Sequence, residues 1–218
     1  MRRRTPPRSR RTPDRILGAV AILETLTDPA QLRGLSPADL ETLAAELRDK
    51  MIRTVQRTGG HLASSLGAVE IAIALHRSMD SPRDRIVWDT GHQAYAHKLL
   101  TGRLERFDTL RQVDGVGGFP RRSESEHDTF DGGHAGTGVS IAIGLAAARD
   151  LLPPGDPGRR QRIAVCVGDA ALQSGLTLEA LNHLGHQKHR LLIVLNDNEM
   201  SISPSVGGLS QVDRKSVV

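Results

Sequence analysis

Between Arg162 and Ser203 the chain reads RIAVCVGDAALQSGLTLEALNHLGHQKHRLLIVLNDNEMSIS, and this stretch leaves few folds open. Ile163–Val167 is a short β-branched run that ends in Gly168-Asp169. Leu191–Leu195 is a second such run, ending in Asn196-Asp197-Asn198. Between them, residues 176–187 have room for about three helical turns. Strand, helix and strand of these lengths predict two parallel strands joined by a right-handed crossover. Both strands then point their C-terminal ends the same way, and open α/β sheets bind ligands at that edge. Asp169 and Asn198 stand just past the two ends. A carboxylate and an amide oxygen beside glycine-containing turns suit a hard divalent cation carrying a diphosphate.

The predicted class is therefore α/β, a mostly parallel sheet with helices on both faces. At 218 residues the chain has the length for one sizeable domain. Aromatic residues are only 2% of it, so the core must rest on Ala, Leu, Ile and Val. A single cysteine, Cys166, rules out an intrachain disulfide framework, and its place in a buried strand reads as core packing. Residues 1–15 hold seven arginines and one acid. They read as a basic, disordered, solvated tail, against a nucleic-acid or membrane contact or a targeting peptide. No apolar h-region follows and no run is long enough to cross a bilayer. Aromatic residues for stacking single-stranded bases are not interleaved with the arginines. The expected location is cytoplasmic, with no nucleic-acid or membrane partner. The domain is expected over 16–210, followed by a short tail at 211–218.

Along the chain, residues 16–26 predict a short helix. Ser36, Pro37 and Asp39 form a helix start, and Leu40, Leu43, Ala44, Leu47 and Met51 give an apolar stripe that runs to about Gln56. Gly59-Gly60-His61 breaks that period. Two glycines before a histidine allow close approach to a ligand, but equally make a helix–helix turn. Residues 67–79 resume a helix. Arg85–Trp88 predicts a strand ending in Asp89-Thr90-Gly91-His92-Gln93, and His92, Gln93, Tyr95, His97 and Lys98 crowd one segment. Residues 100–112 predict a short amphipathic helix, and 114–133 an irregular loop long enough to be functional or disordered. Residues 134–148, small and apolar, predict a helix whose start at Gly133-His134 presents backbone N–H groups to an anion. The chain lacks a G-x-x-x-x-G-K-[ST] run, a G-x-G-x-x-G turn, a zinc-spaced His/Cys cluster and a G-x-S-x-G elbow.

Gly168-Asp169, with Asn198 standing 29 positions after the aspartate in LNDNEMSIS, resembles the thiamine-diphosphate motif of the transketolase superfamily. Longer runs resemble one member, the N-terminal domain of the 1-deoxy-D-xylulose-5-phosphate synthases. They are TGGHLASSLGAVE (58–70), WDTGHQAYAHKLLTG (88–102), FPRRSESEHD (119–128), GHAGTGVSIAIGLA (133–146) and LEALNH (178–183). GHQAY and NDNEMSIS fit that synthase better than transketolase itself. The likeness spans roughly 40–210.

The resemblance implies thiamine diphosphate and Mg²⁺ as cofactors. Asp169, Asn198 and the Met200 carbonyl would ligate the metal. Gly133, His134, Ala135, Gly168, Ala170, Ala171 and Asn198 would line the diphosphate, with His92 near cofactor and substrate. His61 would act with His92 around the reacting carbon. Two positions depart from the family pattern: Ala135 replaces a usual serine, and Ala170 replaces the last glycine of Gly-Asp-Gly. If Ala170 needs φ > 0 it costs on the order of 1 kcal/mol, and if it needs close approach its methyl crowds the ligand. The family places its pyrimidine-binding domain after this one. The expectation is therefore a separate chain carrying the pyrimidine-binding and C-terminal domains, in a heterotetramer or a homodimer of heterodimers. Such an enzyme would move a two-carbon unit from a keto acid such as pyruvate to an aldehyde such as glyceraldehyde 3-phosphate. A non-catalytic regulatory remnant, and a specialised carboligase with other substrates, are the alternatives.

Overall fold

Three short strands carry the fold in the computed structural model, which describes residues 21–197. They are β1 (Arg85–Trp88), β2 (Ile163–Gly168) and β3 (Leu192–Asn196), all parallel, with β2 in the middle. Register pairs Trp88 with Cys166 and Gly168 with Asn196, so the three C-terminal ends lie along one edge. Because side chains alternate along a strand, the sheet has two apolar faces. Ile86, Trp88, Ala164 and Cys166 pack one way, and Val87, Ile163, Val165 and Val167 the other.

The first face is covered by the N-terminal helices. These are α1 (Ile22–Thr25), α2 (Pro37–Thr58), α3 (Leu62–Gly67), α4 (Val69–Ser78) and α5 (Tyr95–Lys98). In α2, Leu43, Leu47 and Met51 are fully buried at helical spacing, each worth about 1.5–3 kcal/mol. The helix starts where the sequence predicts. Ser36 accepts from Asp39 N, Asp39 returns the bond to Ser36 N, and Pro37 occupies the first turn. The second face is covered by α6 (Gly138–Leu151) and α8 (Gly175–Gln187), with the four-residue α7 (Asp169–Leu172) between β2 and α8. Helices on both faces of a parallel sheet are the expected architecture. Of the helix expected over 16–26, only Ile22–Thr25 falls among the described residues, and both expected tails lie outside them.

Three local readings are corrected. The break after α2 is itself helical over Leu62–Gly67, with the next helix starting at Val69. The amphipathic helix over 100–112 does not form. Thr101 leaves the helical region and Gly102 takes φ 87°, while Thr101 Oγ1 donates back to the His97 carbonyl. Leu99, Leu100, Phe107 and Leu110 are buried nonetheless, from successive short turns. Finally, α6 starts at Gly138, four residues later than predicted. The reason is Asp89, whose carboxylate accepts from Gly136 N and Gly138 N, both at 2.8 Å, and holds 133–137 as a turn. Only glycine fits there: a Cβ on Gly138 would lie 2.8 Å from Asp89 Oδ2, and one on Gly136 would overlap Ser174 Oγ.

Candidate functional site

Each strand ends in a polar turn, and the parallel register brings those turns together. After β1, Asp89 continues the sheet by donating its N–H to the Cys166 carbonyl at 2.8 Å, and its buried side chain caps α6. The first N–H of α6, Gly138 N, is therefore already taken by a carboxylate, and Gly133-His134 lie before the helix rather than at its start. Gly133, His134 and Ala135 are exposed in the turn before it. That turn is fastened to the end of β2 by Thr177, a fully buried residue of α8. Its hydroxyl reaches the carbonyls of Gly136 (3.3 Å) and Ala171 (2.8 Å).

At the end of β2, Gly168 is followed directly by Asp169, which is 7% exposed and opens α7. Ala170 is helical and exposed, and is not among the positive-φ residues. The backbone strain considered for alanine at this position therefore does not arise. Ala171 is buried behind it. Asn198 and Met200 lie outside the described residues. Among the described residues no group of three or more His, Cys, Asp or Glu side chains could hold a metal ion. A cation at Asp169 needs its further ligands from elsewhere, as a site shared with a ligand and water does.

His61, between α2 and α3, and His92, in the turn between β1 and α5, meet edge to face, with ring centroids 5.7 Å apart. The chain places His61 by a close backbone approach. Gly59 (φ 72°) and Gly60 (φ 146°) turn it out of α2, and its N–H donates to the Tyr95 hydroxyl at 3.3 Å. His92 is fixed through its carbonyl, which accepts from Ser65 Oγ at 2.9 Å. Both imidazoles are held below the ordinary histidine range, chiefly by burial, with Arg111 adding to the effect at His61 and His61 itself at His92. Both are thus neutral near pH 7. His92 Nδ1 and Gln93 Nε2 are buried without a hydrogen-bond partner among the described residues. Two orphaned polar atoms at a ligand-binding sheet edge fit the anionic, acceptor-rich group that the sequence resemblance implies.

Of the five polar residues crowded after β1, only His92 and Gln93 belong to this edge. Tyr95, His97 and Lys98 turn into the interior. His97 Nε2 donates to Asp128 Oδ1 at 2.9 Å while its Nδ1 meets His76 Nε2 at 2.8 Å. Arg103 also reaches Asp128, and Lys98 reaches Glu124. Burial alone would raise the Asp128 carboxyl, but the His97 hydrogen bond and the Arg103 and Lys98 charges hold it well below the usual range. His97, desolvated, is brought down to about 4 and stays neutral. This hub orders the loop that the sequence left irregular. Asp128 accepts from Arg121 N and Glu124 from Gly117 N, and Phe119 stands 5.7 Å from the His61 ring. The roles of Asp89 and Asp128, and the partner of Gln93, were not legible in the sequence: Gly136 and Gly138 lie 47 and 49 residues from Asp89, Arg103 lies 25 from Asp128 and Asn196 lies 103 from Gln93, with no spacing to betray them.

Taken together, the structure is an α/β fold whose parallel strand ends gather a buried carboxylate, Asp169, and two neutral imidazoles, His61 and His92, along one edge. The chain belongs to the 1-deoxy-D-xylulose-5-phosphate synthase family, whose N-terminal region it matches over residues 23–217. It is 56% identical over 197 residues to the 1-deoxy-D-xylulose-5-phosphate synthase of Syntrophotalea carbinolica, covering 90% of this chain and 30% of that protein. It is 53% identical over 197 residues to 1-deoxy-D-xylulose-5-phosphate synthase 1 of Geobacter metallireducens, with 90% and 31% covered. The chain thus spans about a third of the length of the curated relatives it matches. Its fold is similar to that of a transketolase from Leishmania mexicana, with a TM-score of 0.66 and 25% identity over 75% of this chain and 28% of that one. No helix among the described residues is long and apolar enough to cross a membrane.

Proposed function

We propose that this chain is the diphosphate- and magnesium-holding part of a thiamine-diphosphate-dependent transferase of the 1-deoxy-D-xylulose-5-phosphate synthase type. The reaction is transfer of a two-carbon unit from a keto acid such as pyruvate to an aldehyde such as glyceraldehyde 3-phosphate. The observation that carries this reading is the meeting of neutral His61 and His92 at the sheet edge that also bears Asp169. When bound, thiamine diphosphate would supply the electron sink that lets the keto acid release its carboxyl group as carbon dioxide and pass on the remaining two carbons. Asp169 would hold Mg²⁺ by its carboxylate, joined by Asn198 and the Met200 carbonyl. Gly133, His134, Ala135, Gly168, Ala170, Ala171 and Asn198 would line the diphosphate. His61 and His92, neutral at physiological pH, each have a donor and an acceptor nitrogen and can exchange a proton with a carbonyl oxygen. Phe119, its ring tilted at 45° to that of His61 with centroids 5.7 Å apart, flanks the imidazole on one side.

The pyrimidine-binding and C-terminal transketolase-like regions would come from polypeptide outside these residues, carried on a separate partner chain in a heterotetramer or homodimer of heterodimers. Co-expression with that part of a relative, followed by an assay of pyruvate-dependent carboligation, tests the arrangement. Product is expected only when both parts, Mg²⁺ and thiamine diphosphate are present, and turnover by this chain alone would refute the partner requirement. Asp169→Ala is expected to weaken Mg²⁺–thiamine diphosphate binding in calorimetry by more than about 100-fold, beyond the loss on removing an outer partner of a metal ligand. Undiminished binding would show that the metal lies elsewhere.

A further inference from the structure

Gln93 is 2% exposed and spans the sheet edge. Its Oε1 accepts from Asn196 Nδ2, at the end of β3, at 2.7 Å. Its Nε2 lies 3.6 Å from where a Cβ on Gly168 would stand, at the end of β2 and one residue before Asp169. One side chain from the turn after β1 thus reaches across the ends of the other two strands. The bond from Asn196 fixes the amide, so the nitrogen faces away from β3 with both N–H groups unpaired among the described residues.

We propose that Gln93 recognises the anion directly, its Nε2 donating to a diphosphate oxygen, a role that rests on the cofactor reading above. Two observations single out a donor here. At the start of α6 the first N–H, Gly138 N, is already taken by the Asp89 carboxylate, as is Gly136 N in the turn before it. Gln93 Nε2, by contrast, is a buried donor at this edge without a partner among the described residues. A bond from an amide to an ionised oxygen is also stronger than one to a neutral acceptor. Exchanging the amide's O and N would require Asn196 to reverse as well, and would offer the ligand an acceptor instead of a donor. That arrangement suits a hydroxyl or a metal-bound water, so a carboxylate at this position separates the two cases.

The test uses the full 218-residue chain, with Mg²⁺–thiamine diphosphate and Mg²⁺–pyrophosphate as calorimetric probes. Gln93→Glu sets an anion against an anion. Asn196→Asp replaces the donor at β3 by an acceptor, turns the Gln93 amide over and uses up its N–H. Each variant is expected to bind both probes about 10- to 100-fold more weakly than the parent, the loss that goes with a hydrogen bond to a charged group. In the unsubstituted chain the Gln93 side-chain amide proton, assigned in nitrogen-15 spectra by its disappearance in Gln93→Met, is expected to move downfield on adding Mg²⁺–pyrophosphate. If either variant melts, this shift alone decides. If the parent binds and Gln93→Glu binds as tightly, or the amide signal stays put at saturation, Gln93 is not the reader while the cofactor reading stands. If the parent binds neither probe, the cofactor reading falls, and this proposal with it.

Discussion

Asp128 illustrates how much a single residue can hold without touching the reaction. Its buried carboxylate receives His97 Nε2, Arg103 Nη2 and the Arg121 N–H, with Lys98 3.8 Å away. Removing one partner of a buried charge set leaves the others desolvated and uncompensated, which costs far more than the pair itself contributes. Asp128→Asn is therefore expected to destabilise the chain by about 3–5 kcal/mol in urea denaturation. A change of less than about 1 kcal/mol would mean that solvent reaches the hub. Residues were unevenly legible. Asp169 announced itself by following a β-branched run and a glycine. Asp128 sat in a charged, irregular stretch where nothing in the spacing marked it as buried. Cys166 was legible as core: its thiol is buried and pushed up to about 12, which leaves it unreactive. Ala170 marks the opposite limit. A departure from a glycine pattern is visible in the sequence, but its cost depends on a φ value that only the α7 turn supplies.

At the scale of elements, the junction between α2 and α3 carries the sharpest requirement. A Cβ on Gly60 would fall 2.7 Å from the Tyr95 hydroxyl, in a backbone conformation already closed to most side chains. Gly60→Ala is expected to destabilise the chain by about 1–3 kcal/mol and to displace His61. Tyr95→Phe in the same chain should recover part of that loss, because the steric part goes with the hydroxyl while the strain stays. Full additivity of the two substitutions in a denaturation cycle would refute the contact. The same scale explains where element boundaries went astray. Periodicity marks which residues are apolar and small, so 134–148 read as helix from its first residue. The actual start is set by Asp89, 49 residues before Gly138, and no window along the chain contains both.

For the whole molecule, buried histidines make folding depend on pH in one direction. His97 is lowered to about 4 and His76 well below its usual value, both mainly by desolvation. Below about 6.5 the unfolded chain protonates these imidazoles while the folded chain does not. The unfolded state then binds more protons, so stability rises with pH and is lost as pH falls from about 6.5 toward 4. Each histidine contributes a slope of about 1.4 kcal/mol per pH unit. Asp128 acts in the same sense lower down, since its folded carboxyl stays ionised below the range where the unfolded one takes up a proton. Urea midpoints at pH 7 and pH 5 are expected to differ accordingly, and equal midpoints would place protonated imidazoles in the core.

The sequence by itself determined the parallel α/β class, the three strands, the apolar stripe of α2 and the strand-end positions of His92 and Asp169. Each of these follows from local rules: side-chain alternation, helical period, capping residues and the polar turns that end buried strands. Only the tertiary structure decided which of those positions share an edge and in what state. It capped the start of α6 with Asp89, faced His61 toward His92, turned His97 and Lys98 inward to Asp128 and Glu124, and left the Gln93 amide nitrogen unpaired among the described residues. These outcomes depend on contacts between residues far apart in the chain and on how burial shifts charge, and neither is encoded at any fixed spacing.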